Sequence, residues 1–364
     1  MKILHVVPYL PKSSGVTTYV DALTAECVQQ GVECKVVVGD FNWAGQGCTQ
    51  VVGVPRLSVA EGLEALANEP WDVLHVHALW LPFIHRLVTA AHKRGVAIVW
   101  SIHGSLSPWA FWFKWWKKLP VWWLWQRRDV KLAKVLHVTS AQEAEWVKAY
   151  RFNLPIIDVP LGTYLPADRT ARVNESTEGA ENNEKRLKRL LFVGRVAPVK
   201  ALPKLIEAWA KATLTQWELR IVGNGELDYV EMLKSQAEAL GISEQVHLVG
   251  PRYDEALFEE YRTADALALV SETENFGAVV ADALAYGVPV ITSTGTRWQE
   301  VKTYQCGWWV DNDVESLANV LCQLSALSDA ERRTMGEKGK RLIQEKYTWP
   351  AVAKQMSAFY ERLR

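Results

Sequence analysis

Short apolar runs alternate with longer segments of helical period from the first residues onward. "KILHVV", "CKVVVG", "DVLHVHA", "AIVWSIHG", "KVLHVT" and "IIDVPLG" predict strands. "TTYVDALTAECVQQG" and "LPFIHRLVTAAHKRG" between them predict helices that stop at Gly31 and Gly95. The strands are apolar almost throughout, with little polar alternation. That pattern belongs to a parallel sheet covered on both faces.

The rhythm breaks between Pro166 and Arg189, where "PADRTARVNESTEGAENNEKRLKR" holds almost no large apolar residue and cannot bury a core. A second alternating series follows. "RLLFVG", "ELRIVG", "QVHLVG", "ALALVS", "PVITS" and "GWWV" predict strands, and "LPKLIEAWAKA", "YVEMLKSQAEALG", "ALFEEYRTA" and "AVVADALAYG" predict helices. The chain therefore divides into a first domain over 1–165, a polar linker over 166–189 and a second domain over 190–348. A final helix over 349–364 can cross back to the first domain. Both domains are expected to be Rossmann-like, doubly wound α/β units facing one another across a deep cleft. Ligands in such folds meet the loops beyond the carboxyl ends of the strands.

Composition narrows the class. Among 364 residues, 49% are hydrophobic and 23% charged, and 41 basic side chains balance 41 acidic ones. Net charge thus gives no reason to expect a nucleic acid or another polyanion as partner. The cysteines at 27, 34, 48, 306 and 322 show no CxxC spacing, which predicts reduced thiols in a cytoplasmic protein. "MKILHVVPYL" reads as a first strand and not as a signal peptide, and no window offers the roughly 18 uncharged apolar residues that a membrane-spanning helix needs.

Candidate chemistry sits at predicted strand ends. "SETENFGAVVADALAYGVPVI" places Glu274 before an apolar helix and Asp282 inside it. A buried carboxylate needs hydrogen-bond donors, which an internal partner or a ligand's hydroxyls can supply. "FVGRVAPVK" ends a strand at Gly194 and carries Arg195 and Lys200 into the next loop and helix start. Two cations there suit a diphosphate, although a solvated turn carries such charges as well. Ser13, Ser14 and Gly15 lie between the first strand and first helix, where a glycine lets phosphate approach the backbone. This loop fits neither GxGxxG nor the P-loop pattern. His103 ends another strand, either to donate to a ligand or as a structural histidine. His75 and His77 face one side of their strand without an evident third ligand. Asp311 and Asp313 look like a DxD, but Asp313 is better placed as a helix N-cap. No metal site is expected.

Together these stretches resemble the retaining GT-B glycosyltransferases of the family 4 type (glycosyl transferases group 1). The stretch from Glu274 to Asp282 is similar to their E-x7-E signature, and "VGRVAPVK" to their G-R-x4-K motif. The early glycine loop, "DVLHVHALW", "SIHGSLSPW" and "GTRWQEV" fit in order, so the likeness covers nearly everything outside 166–189. The resemblance implies a nucleotide-sugar donor and retention of anomeric configuration, with no cofactor or metal. It implies that Glu274 contacts the donor sugar and Asp282 the ribose, while Arg195 and Lys200 hold the diphosphate. Asn275, Phe276 and Gly277 would line the sugar pocket, Gly15 face the phosphates, Gly223 approach the nucleoside and His103 meet the reacting sugar. Three positions depart from the family pattern: Asp282 replaces Glu, Leu161 stands where Asn is common, and Ala201 stands where Gly commonly follows the lysine.

One further stretch stands out. Of 18 tryptophans, seven fall between Trp109 and Trp125, interleaved with Lys and Arg as far as Arg128. That is the composition of an interfacial membrane element, or of a packing segment with exposed cations. The expected protein is a hexosyltransferase acting on a glycan or lipid-linked acceptor in cell-surface polysaccharide or lipopolysaccharide synthesis. It would work in the cytoplasm, with possible peripheral contact at the inner face of the membrane. The competing readings are a nucleotide-sugar epimerase of the same fold and a catalytically silent membrane-associated scaffold.

Overall fold

The computed structural model describes residues 1–8, 15–39, 53–166 and 186–363. Ser13, Ser14, Cys48 and most of the polar 166–189 stretch lie outside the described residues. The chain forms two compact units: 1–162 with 349–364, and 163–348.

Unit 1 holds a seven-stranded parallel sheet. Its strands are β1 (Lys2–Val7), β2 (Glu33–Val38), β3 (Arg56–Leu57), β4 (Val73–Val76), β5 (Ala97–Ser101), β6 (Val135–Val138) and β7 (Ile156–Asp158). They lie in the order β3-β2-β1-β4-β5-β6-β7, so the winding reverses between β1 and β4. Alternation along the strands sorts side chains into two cores. Leu4, Val6, Leu74, Val76, Ile98, Trp100, Leu136 and Val138 serve one face. Ile3, Val7, Val73, Ala97, Val99 and Val135 serve the other, where the helices Gly15–Gln29 and Trp349–Glu361 cover them with Leu23, Val352 and Met356. The last helix is thus an integral layer of unit 1.

Unit 2 repeats the plan with β8 (Lys188–Val193), β9 (Trp217–Val222), β10 (Val246–Gly250), β11 (Ala266–Leu269), β12 (Val290–Ser293) and β13 (Gly307–Val310). Their order is β10-β9-β8-β11-β12-β13, all parallel, with the reversal between β8 and β11. The sequence pattern placed these strands, but ran the polar linker to 189 although β8 begins at Lys188. Asp313 is an N-cap, accepting from Ser316 N at 2.9 Å.

The second face of the unit 1 sheet carries polar residues among its aliphatic ones. Tyr360 of the last helix is fully buried, and its hydroxyl meets His75 Nδ1 at 2.5 Å. Tyr360→Phe strands that buried nitrogen without a partner and should cost about 1–3 kcal/mol. Chemical denaturation of the folded variant checks this; an unchanged unit 1 transition would contradict it.

Candidate functional site

In unit 2 the site is built where the winding reverses, at the carboxyl ends of β8 and β11. The loops after β8 and β9 are pressed together at their backbones. Gly194 N donates to Val222 O at 3.0 Å and Val196 N to Asn224 O at 2.7 Å. A Cβ on Gly223 would lie 1.7 Å from Gly194 O, so only glycine fits there. Gly223 is therefore required by this packing, whatever it also offers a ligand.

The β8 loop continues through a 3-10 turn, Pro198–Lys200, into a helix over Leu202–Ala212. Ala201 joins them with φ 51°. That is the left-handed conformation glycine adopts freely, which gives a physical reason why glycine is common at this position in the resembling family. The turn aims Lys200 at Glu274, and the two form an ion pair with only 14% and 19% of their side chains exposed. Ser271 Oγ also donates to Glu274 Oε2, at 3.2 Å. The Glu274 backbone is tied to the end of β12 through Glu274 N to Gly295 O at 3.0 Å. Ser293 Oγ donates to Ser271 O at 2.6 Å.

Around this pair, Phe276 is buried against Trp298, whose Nε1 donates to Phe276 O at 2.7 Å. Gly277 has φ 74° and opens the helix Ala278–Ala285, which has no side-chain cap. A Cβ on Gly277 would lie 2.8 Å from Leu269 and 3.2 Å from Glu274 Cγ. Asn275 is half-buried beside them. Arg195 is exposed, with no ion-pair partner among the described residues. Lys200, Glu274, Asn275, Phe276 and Gly277 thus come together as one cradle, with Gly194 and Gly223 fixing its β8 side.

Asp282 lies on the buried helix with an internal partner. Thr163 Oγ1 donates to Asp282 Oδ1 at 2.7 Å, and Thr163 N is itself held by Tyr347 O at 2.7 Å. Burial pushes the carboxyl up to about 6, against the opposing pull of the Thr163 hydroxyl. Asp282 Oδ1 is therefore already engaged, as the internal-partner reading required.

The other expected residues belong to unit 1. Gly15 is the first residue of the helix Gly15–Gln29. His103 follows β5 with φ 48°, a left-handed conformation uncommon outside glycine, although histidine is among the residues that adopt it more readily. Its Nε2 meets His77 Nδ1 at 3.1 Å. The third partner for His75 and His77, absent from the sequence reading, is His5. Ligand atoms of His5, His75 and His77 lie within 4.8 Å of one another. Register is the signal: β1 and β4 pair His5 with His75 directly. Two more residues escaped notice. Buried Glu143 accepts from Thr139 N at 2.8 Å and from Gly104 N, clamping the turn after His103. Trp80, at φ 75°, ends the loop after β4 and donates its N–H to Gln126 Oε1 at 2.6 Å.

The tryptophan segment forms short helices over Pro108–Trp112, Trp115–Val121 and Arg127–Lys131, joined near its end by a π-turn over Trp122–Gln126. Trp122 is buried among Trp80, Phe111, Tyr150 and Phe152. Its neighbour Trp123 is 70% exposed, and Trp112, Trp115, Trp116, Phe113 and Leu124 are exposed as well. Among the described residues no helix is long and apolar enough to cross a membrane.

Comparison with known proteins agrees with the architecture. The family described as Glycosyltransferase Family 4 matches residues 13–163, and Glycosyl transferases group 1 matches residues 174–342. A D-inositol 3-phosphate glycosyltransferase of Corynebacterium urealyticum is 32% identical over 258 residues, covering 65% of this chain and 59% of the relative. An uncharacterized glycosyltransferase of Haemophilus influenzae is 27% identical over 220 residues, covering 59% of this chain and 57% of its own. The chain thus spans less than two thirds of the length of these curated relatives. Among solved structures, Anabaena HepE in complex with UDP superposes with a TM-score of 0.76 at 18% identity, covering 100% of both chains. Sucrose-phosphate synthase of Thermosynechococcus elongatus superposes with a TM-score of 0.72 at 19% identity, covering 100% of this chain and 99% of that one. At such identities these structures establish the fold.

The Asp282 carboxyl gives a pH signature. A group whose folded value lies above its unfolded one stabilises the protein fully below the unfolded value, and that contribution is lost as pH rises through the folded value. The window runs from 3.8 to about 6. Asp282→Asn should therefore gain stability relative to the parent as pH rises through this window and level off above it. Denaturation midpoints across the range check this; a pH-independent difference would contradict it.

Proposed function

We propose, for a chain that belongs to the glycosyltransferases of the family 4 and group 1 type, that it moves a hexose from a nucleotide-sugar donor to a glycan or lipid-linked acceptor, with retention of configuration. The observation that carries this reading is the enclosed Lys200–Glu274 pair where the winding of unit 2 reverses. A diphosphate arriving there competes for the Lys200 ammonium. Glu274 is then released to accept from the sugar's hydroxyls, still held by Ser271 and its own backbone. The bond from the anomeric carbon to phosphate breaks as the bond to the acceptor oxygen forms, and the acceptor's proton leaves with the diphosphate. Charge growing on that leaving group is met by Lys200, aimed by its turn, and by the exposed Arg195. The family resemblance assigns the reacting sugar to His103. Asp282 holds the ribose through whichever oxygen Thr163 leaves available.

A surface observation favours a peripheral membrane role as part of this function. Trp112, Phe113, Trp115, Trp116, Trp123 and Leu124 are exposed together with Lys114, Lys117 and Arg128. Large exposed apolar side chains interleaved with cations suit the boundary between anionic headgroups and acyl chains, where a lipid-linked acceptor would be found. The cell-surface polysaccharide or lipopolysaccharide assignment rests on that acceptor class.

Three experiments test these statements. Thermal-shift screening with UDP-, GDP- and ADP-sugars should give a selective rise, because a ligand that binds only the folded state stabilises it. With the donor so found, Glu274→Ala and Lys200→Ala should each lose at least about a hundredfold in transfer, as expected when a group that meets transition-state charge is removed. Near-normal transfer by either variant would refute the assignment, and conversion of the donor without any acceptor would point to an epimerase. Separately, the protein should sediment with phosphatidylglycerol-containing vesicles, and Trp123→Ser with Trp116→Ser should weaken this. Equal recovery with and without vesicles would reject the membrane role.

A further inference from the structure

Five histidines, two tyrosines and a serine share the face of the unit 1 sheet that the first and last helices cover. They form two hydrogen-bond chains with different ends. The first runs from Tyr360 OH to His75 Nδ1 at 2.5 Å, from His75 Nε2 to Ser101 Oγ at 2.6 Å, and from Ser101 Oγ to His137 Nδ1 at 2.6 Å. It ends with His137 Nε2 at 2.9 Å from Val159 O. A carbonyl can only accept, so His137 must carry its proton on Nε2. Ser101 then donates to His137 Nδ1 and accepts from His75 Nε2–H, and Tyr360 donates to His75 Nδ1. One backbone oxygen fixes every proton along this chain.

The second chain runs from His103 Nε2 to His77 Nδ1 at 3.1 Å, and from His77 Nε2 to His5 Nδ1 at 2.9 Å. It ends blind, because His5 Nε2 is buried and has no partner among the described residues. The rings are neutral at ordinary pH, since burial lowers His5 and His103 to about 3 and takes His77 well below its usual value. The groups around them are His75, His137 and Tyr19, whose buried hydroxyl has no partner among the described residues. Among the described residues no carboxylate hydrogen-bonds to these rings. Three neutral imidazoles carry one proton each, so the two bonds can run in only two senses. In one sense His5 Nε2 bears a buried N–H with nothing to accept it. In the other it bears only a bare lone pair, and an orphaned donor is the rarer of the two in native structures.

We infer that the blind end at His5 sets the direction of the chain, so that His5 donates to His77, His77 donates to His103, and His103 is held as the Nδ1–H tautomer. His77 and His5 are positioning residues, and His103 offers the outer end of the chain as a hydrogen-bond donor and not as a base. A sugar oxygen would be its partner. That consequence rests on His103 being the residue that meets the reacting sugar, whereas the tautomer does not. The proximity of His5, His75 and His77 also raises a divalent metal. All but one of their ring nitrogens already have hydrogen-bond partners, so a metal would have to break these chains.

The test is long-range proton–nitrogen correlation NMR on the full chain labelled with ¹⁵N-histidine. His5, His77 and His103 should carry their proton on Nδ1, and His75 and His137 on Nε2. His5→Asp offers His77 only an acceptor, so it should turn both bonds round and move His103 to Nε2–H, while Tyr360→Phe should leave His103 unchanged. If His5→Asp does not fold, the tautomers of the parent protein decide alone. An Nε2–H tautomer at His103 in the parent overturns the inference, as does stoichiometric zinc in the purified protein. These readings need no substrate, so a failure of sugar transfer would count against the proposed function and leave the tautomer standing.

Discussion

A parallel sheet covered on both faces leaves no water for the polar groups its strands carry, so each is pressed to find its partner within the protein. The strand groups of both units meet this constraint almost throughout, with His5 Nε2 the exception among the strand histidines described. In unit 1 the constraint links five imidazoles into directed chains. In unit 2 it closes Lys200 onto Glu274 and Thr163 onto Asp282. Lys200, Glu274 and Asp282 are therefore each engaged by a partner in the free protein.

The same constraint explains what glycine does here. Gly223 lies so close to Gly194 O that a single methyl group would block the loops after β8 and β9 from meeting. That contact brings the turn bearing Lys200 to the level of Glu274. Ala201 supplies a left-handed joint that glycine would fill without strain, so local conformational cost is accepted where the cation must be aimed.

The fold was largely legible in the sequence because strand apolarity and helix-ending glycines are local signals. The acid at 282 was also legible as an anomaly, but its partner was not: Thr163 lies 119 residues away, and no spacing rule spans that distance. His75 and His77 could be placed on one side of a strand. The addition of His5 required the pairing of β1 with β4, which only the folded register supplies. In the tryptophan segment, composition could not separate Trp122 from Trp123. The turn of the chain buries one and exposes the other.

The central claim is that nucleoside diphosphate is held between the loop after β8 and the stretch from Glu274 into its helix. Hydrogen exchange by mass spectrometry, with and without UDP, GDP or ADP, tests this directly. A nucleotide that binds should slow exchange at 194–201 and 271–282 together. Binding that leaves both segments unchanged and protects amides elsewhere would contradict it.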